Sequence, residues 1–456
     1  MNEVTSASVA RGVEREGTFA TQLQRALLVF LFLMVLCAPH SIAATQIAWS
    51  FALLFWMIRL VMRPRPALLR TPVDVPMILF FLLTLVSAIF SYDPDVSIPL
   101  LRGALLFTIA YLFAQNINSR RMLRLLALLL LASCMINVCY TLGQRIIGRG
   151  VKVEGVAESS PLYAGGIRSG DTLLEVEGRP LSRLRDLYDE VARDDATKDL
   201  PVHVQVYRYE WVGILDVPRD KLLEGETVTA RLGVESWSRG RDWRATGFYN
   251  HWTTYSEALQ LIASLAVGLF IALKRKLTWK GALLLAVILG QSAALLLTVT
   301  RASWLAFLVS IFVIVLVGAS RKTVLLALAC AVVLVPAALF VLQQKRNVGF
   351  LDTKDASTSY RETVWREGFN LLKSKPRHLL VGIGMNSIKR HWPEWGMFDN
   401  GRLPMGHMHS TPLQLALERG VPAFLVWLVM MFVYGRMLFR MARAYRLEDW
   451  IERGIV

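Results

Sequence analysis

Long apolar runs alternate along this chain with short stretches rich in arginine and lysine. The runs cover 26–38, 42–62, 75–90, 98–117, 122–147, 255–273, 281–297, 303–318, 323–342 and 421–438. Most come close to the roughly 17–25 residues that a helix needs to cross hydrocarbon. Few carry the polar face that a surface helix of a soluble protein would show to water. The pattern predicts an all-α polytopic membrane protein of about ten transmembrane helices. The first run is short and stops at Pro39, so its limits are the least defined.

The charges between the runs predict an orientation. Arg59, Arg63, Arg65 and Arg70 follow the second run, and Arg120, Arg121 and Arg124 the fourth. Lys274, Arg275, Lys276 and Lys280 follow the sixth, Arg321 and Lys322 the eighth, and Arg436, Arg440, Arg443 and Arg446 the tenth. The third run exits instead into the acidic Ser91-Tyr92-Asp93-Pro94-Asp95. Basic loops stay in the cytoplasm, so segment 1–25 and the C-terminal tail belong there. The expected location is the inner membrane of a bacterium, with the working face periplasmic. No small-residue cleavage site follows a short apolar run, so the basic start is not read as a cleavable signal.

Composition agrees with this class. The 456 residues are 54% hydrophobic and only 19% charged. A soluble protein is closer to about half apolar and a quarter charged. The net charge of +16, from 51 basic against 35 acidic residues, follows from the basic loops and requires no nucleic-acid partner. Cys37, Cys134, Cys139 and Cys330 all lie in apolar runs and read as small hydrophobes rather than disulfide or metal partners.

Two long segments break the series. In the first, 150–218, Val151-Lys152-Val153-Glu154 and Val202-His203-Val204-Gln205-Val206 alternate with period two, which predicts half-buried strands of a small α/β module. Between them, Ser160-Pro161, Ala164-Gly165-Gly166-Ile167, Gly170-Asp171 and Val176-Glu177-Gly178 resemble a PDZ domain. The resemblance implies a PDZ-like domain at 149–218, a groove helix over 181–192, and closing strands at 201–208 and 211–217. It also implies an extended peptide of a periplasmic protein partner, added as a strand, with its carboxylate in a nest near Arg149-Gly150-Val151. A spacer that binds nothing has the same pattern. Segment 219–249 is then a periplasmic connector. The absence of His-Glu-x-x-His and of a Gly-x-Ser-Gly nucleophile in a membrane run argues against an intramembrane protease, the other class that such a module suggests.

Three further stretches carry candidate chemistry. They are Arg244-Ala245-Thr246-Gly247-Phe248-Tyr249-Asn250-His251, then Thr298-Val299-Thr300-Arg301-Ala302-Ser303-Trp304, and then a longer one. The last runs from Tyr360-Arg361-Glu362 through Gly382-Ile383-Gly384-Met385-Asn386 to His407-Met408-His409-Ser410-Thr411-Pro412-Leu413-Gln414-Leu415-Ala416-Leu417-Glu418-Arg419-Gly420. In this order they resemble the O-antigen ligase and O-antigen polymerase family. Two departures stand out. Ser410 occupies the place where the family usually has Asn, and the chain ends at Ile455-Val456, where family members usually continue through one or two more helices.

The resemblance implies a glycosyltransferase working on the periplasmic side. Its donor is a polyprenyl-diphosphate-linked glycan and its acceptor a hydroxyl of a glycan or of lipid A-core, with the lipid bilayer as surroundings. Arg244 and Arg301 are the expected clamps for the departing diphosphate, because the guanidinium fork pairs with phosphate oxygens and keeps its proton. His409 is the expected base, with a reference pKa of about 6.5 suited to neutral pH. Arg361, His407 and Glu418 are expected substrate-binding residues; no metal or cofactor is expected. Ligation, repeat-unit polymerisation of an exopolysaccharide and transfer to protein stay open, as does a non-enzymatic export or transport protein. Asp93-Pro94-Asp95 reads as a helix start, with a cation-holding Asp-x-Asp as the other reading. The implied organisation is helices 1–5 over 26–147, helices 6–9 over 250–342, a periplasmic loop with the catalytic motif over 343–420, and a tenth helix and cytoplasmic tail over 421–456.

Overall fold

A computed structural model describes residues 18–62, 65–66, 68–193, 200–208, 211–219, 221–322, 324–325, 356–444 and 450–455. Among them, eight helices are long and apolar enough to span a membrane. The first half holds α1 (Thr18–Cys37), α2 (Ile42–Val61), α3 (Asp74–Ile89), α4 (Pro94–Leu105), α5 (Thr108–Asn116) and α6 (Arg120–Ile147). Helix α3 is apolar but shorter, at 16 residues. The fourth run becomes α4 and α5, which together count as one span, Pro94–Asn116. The two meet where Leu106 and Phe107 bond back only three residues, to the carbonyls of Gly103 and Ala104, a tight turn that displaces the axis. The second half holds α10 (Trp252–Ala272), α11 (Trp279–Leu297) and α12 (Arg301–Gly318). The run at 323–342 lies outside the described residues except Val324 and Leu325, so the described residues hold eight spans and one shorter apolar helix against the expected ten.

Between α6 and α10 stands an antiparallel sheet. Its strands are β1 (Val151–Val156), β2 (Thr172–Val176), β3 (Arg179–Pro180), β4 (Val202–Arg208), β5 (Trp211–Val217) and β6 (Val234–Arg239). They lie in the order β5-β4-β2-β1-β6, with β3 beside β2. Three helices accompany them: α7 (Pro161–Ala164), α8 (Leu184–Val191) and α9 (Val228–Leu232). Alternation in β4 sends Val202, Val204 and Val206 into a core with Val151, Leu173 and Leu187, all fully buried. Asp171, 1% exposed, accepts two bonds from Arg208 (2.7 and 2.5 Å) and one from the Arg168 N–H (2.8 Å).

The sheet reaches beyond the expected closing strands. Strand β6 pairs with β1 along Val151↔Arg239, Val153↔Trp237 and Val156↔Val234, inside the stretch 219–249 assigned above to a connector. Beyond Val234 its residues are exposed, so it lacks the apolar alternation that reveals a half-buried strand. The module also enters and leaves at one point: Arg149 N–H donates to Gly240 O (2.8 Å) and Gly240 N–H to Gly150 O (3.2 Å). These bonds correct the expected carboxylate nest at Arg149-Gly150-Val151, whose backbone is taken up by Gly240 and by the neighbouring strands.

After the undescribed stretch come α13 (Ala356–Ser374), α14 (Pro376–Val381), α15 (Ile388–His391), α16 (Thr411–Ala444) and α17 (Trp450–Ile455). Helix α16 bends at Gly420, where φ is +83° ahead of Pro422. A side chain there would run into the Leu380 carbonyl, as one at Gly382 would run into Glu418. Glycine therefore sets how closely α14 approaches the bend. Helix α16 also packs on α3, and α17 lies against α10.

Candidate active site

The His-x-His segment is laid along α13. Tyr360, Val364 and Gly368 recur every four residues and so share one face. Met408 plugs that face, fully buried, and a Cβ on Gly368 would sit 2.7 Å from its sulfur. Trp365 Nε1 donates to Met408 O (2.6 Å), and the Tyr360 hydroxyl donates to Pro404 O (3.1 Å). With Met408 turned inward, its neighbours His407 and His409 are both exposed. His409 has φ +49°, a left-handed backbone that costs a non-glycine residue on the order of 1–2 kcal/mol.

The imidazole of His409 meets the Tyr360 ring edge-on, with centroids 5.6 Å apart. Partial desolvation, followed by the positive charge of Arg361 and the proximity of His407, holds its pKa below the usual 6.5. The ring is thus mostly neutral at pH 7, as a proton acceptor must be. Ser410, standing where the family usually has Asn, accepts from Leu413 N–H with its hydroxyl (3.4 Å) and from Gln414 N–H with its carbonyl (2.8 Å). Serine and asparagine are comparable in starting a helix, which is a physical account of the departure.

Glu418 is 7% exposed and lies further along α16. Its Oε1 accepts from Gln414 Nε2 (2.7 Å) and from Asn386 N–H (3.2 Å), and its Oε2 faces Arg419 at 3.3 Å. Its carbonyl accepts from Gly384 N–H (3.0 Å) and from the Ser87 hydroxyl (2.8 Å). Glu418 therefore fastens α16 to the 382–386 loop and to α3.

Arg244 reaches, at another point, the turn that precedes Arg301. The turn joining α11 to α12 has Val299 at φ +52°. Its outward carbonyls receive Arg244: Nε donates to Thr298 O (3.0 Å) and a terminal nitrogen to Val299 O (2.8 Å). The Arg244 guanidinium lies 4.5 Å over the Trp252 ring. Arg301 opens α12 next to Thr300, whose hydroxyl is 3.3 Å from Arg244. The contacts thus group the six expected residues in three places: His409 with Arg361 and His407, Arg244 with the turn bearing Arg301, and Glu418 at the bend of α16.

Asp93 and Asp95 open α4, as the helix-start reading expects. Both carboxylates reach Arg390 (3.3 and 2.9 Å), and Asp93 also faces His391 at 3.2 Å. Hydrogen bonding to Glu394, then the charge of Asp93, raises the pKa of His391. Ser91 lies 2.8 Å from Ser97 and 3.0 Å from Ser387, so this corner is sewn to the segment that Glu418 holds. Among the described residues no three His, Cys, Asp or Glu side chains converge as a metal site.

Residues 284–428 match the family described as O-antigen ligase. The matched stretch includes Arg301, Arg361, His407, His409 and Glu418; Arg244 and the sheet module precede it. No curated protein and no solved structure matches the chain. The fold and the match together describe a multi-pass membrane protein with an O-antigen ligase-like region. The motif contains Gln414 without giving it a role and does not reach Trp365, yet these two hold the backbone of Met408 between the histidines. Gln414 carried a signal, since it stands four residues before Glu418, one helical turn away.

Proposed function

We propose that this protein is a membrane glycosyltransferase of the O-antigen ligase/polymerase type, passing a glycan from a polyprenyl diphosphate to an acceptor hydroxyl on the periplasmic side. The observation that carries the reading is His409, held neutral on a pinned loop beside Arg361 within the matched stretch. In the reaction, a ring nitrogen of His409 takes the proton of the acceptor hydroxyl. The freed oxygen forms the new bond to the sugar's anomeric carbon as the bond from that carbon to the diphosphate breaks. The departing diphosphate takes the electron pair, and Arg244 and Arg301 stabilise its added charge with Arg361 as a further phosphate contact. His407 binds sugar or orients its neighbour.

The test uses purified protein and a synthetic polyprenyl-diphosphate glycan. His409→Ala should bind the donor as wild type does and lose transfer by roughly 10²–10⁴-fold, the usual size of general-base catalysis. Retention of more than about a tenth of the wild-type rate is incompatible with a general base of that size.

A second reading concerns the module. Strand β6 takes the edge of β1 beside the expected nest, which supports the reading of the module as a spacer that binds no peptide there.

A further inference from the structure

We infer that Gln414 is the positioning residue for His409, and that Glu418 acts through Gln414 rather than on substrate. This inference rests on the reading of His409 as the base. The peptide plane before Met408 is pinned because its N–H donates to Gln414 Oε1 at 3.0 Å. The plane after Met408 is pinned because its carbonyl accepts from Trp365 Nε1 at 2.6 Å. On the far side of His409, the Ser410 carbonyl is fixed by the Gln414 N–H at 2.8 Å. His409 is therefore bracketed between fixed planes, which accounts for its holding φ +49° without glycine's freedom. Gln414 contributes to both brackets, one through its side chain and one through its backbone.

The polarity of this link dictates the residue type. The Met408 N–H can only donate, and Glu418 Oε1 stands as an acceptor, taking the Asn386 N–H at 3.2 Å. A side chain between them must accept at one end and donate at the other, as a primary amide does. Gln414 Nε2 donates to Glu418 Oε1 at 2.7 Å, and that oxygen also takes the Asn386 N–H. The orientation of His409 is thereby referred to the 382–386 loop, which is itself fastened to the α3–α4 corner through Ser91 and to α4 through Ser97, while Ser87 of α3 holds the Glu418 carbonyl.

The test is an exchange of functional groups. Gln414→Glu sets two carboxylates against each other and should lower kcat by about 10²-fold, the scale for displacing a reacting group by an ångström. Donor KM should stay unchanged. The acid limb of the pH profile should move up, because a displaced His409 leaves its desolvating contact with Tyr360 and the charge of Arg361. Adding Glu418→Gln returns a donor to face the new carboxylate, so the double variant should recover most of kcat and the original limb. The inference is overturned if Gln414→Glu keeps wild-type kcat and limb, or if the folded double variant is no better than the single one. Should Gln414→Glu fail to fold, Trp365→Phe decides: it removes the other pin and must lower kcat at constant KM, and wild-type behaviour overturns the inference. His409→Ala, assayed alongside, separates the two readings. If it remains active the base assignment fails, whereas an inactive His409→Ala beside a normal Gln414→Glu removes only the positioning role.

Discussion

The sheet module and the 376–420 segment both interrupt the series of membrane helices, yet different forces hold them. Within the module, Val151, Leu173, Leu187 and Val204 bury each other completely, and the partners of its strands come from one stretch of chain. The 376–420 segment has an apolar centre too, around Val364, Ile383, Phe398 and Met408. Its position, however, depends on polar bonds to residues far away in sequence: Ser87 to Glu418, Tyr92 N–H to Ile383 O, and Arg390 to Asp93 and Asp95. Hydrophobic burial is nondirectional and tolerates drift, whereas hydrogen bonds fix angles. The segment held by directional bonds is the one that carries the proposed base.

This contrast is open to attack in order of effect. Arg301→Ala should cost roughly 10²–10³-fold in turnover, the scale for one preorganised charge-stabilising donor, and should weaken donor binding as well. Arg301→Lys should rescue it poorly, since an ammonium cannot reproduce the fork. Full rescue by lysine, measured in the same transfer assay, would reduce Arg301 to a simple positive charge.

Next in size is damage to the module. Leu187→Ala empties a fully buried site in α8 and should cost about 2–5 kcal/mol of module stability, seen as earlier proteolysis of the 149–240 stretch. Transfer by the purified protein should persist. Its loss in a protein whose helices remain intact would show that the sheet helps to build the active site, and the two regions would cease to be separable.

The smallest effect is on pH. Arg361 helps to hold the His409 pKa down, so removing its charge lets that pKa rise toward the ordinary 6.5. The acid limb of turnover in Arg361→Gln should therefore move to higher pH, leaving the variant relatively weaker near pH 6 than near pH 8. An unmoved or downward-shifted limb would mean that the charge on Arg361 is not sensed by the group that titrates.

The same contrast explains what the sequence made legible. Spans show because hydrocarbon demands a continuous apolar length, and even α3, at 16 residues, is visible as a run. Strands β1 and β4 show because burial on one face imposes alternation. Strand β6 does not, because an edge strand with one inward side chain keeps no period and looks like a connector. In the candidate site, His409 and Arg301 stand out in the sequence only through residue type in a motif. The work of Glu418 was not, because its partner Asn386 lies in another loop. The grip of Arg390 on Asp93 was equally hidden, since the two are 297 positions apart and no local pattern links them.

The paired ends of the module bear on how the chain comes together. Because Arg149 and Gly240 bond to each other, a folded sheet brings its own two ends together and leaves only the stretch from Gly240 to Trp252 to reach α10. The entropy of closing a loop grows with the length of flexible chain between its ends, and a module that has already folded removes nearly all of that length. During synthesis the sheet is complete as soon as β6 emerges, before α10 has been made. The later helices then assemble against α6 across a short link, and a foreign domain with similarly adjacent ends, grafted between Arg149 and Gly240, should keep that closure while losing the packing of Leu174 and Tyr207 on the helix cluster.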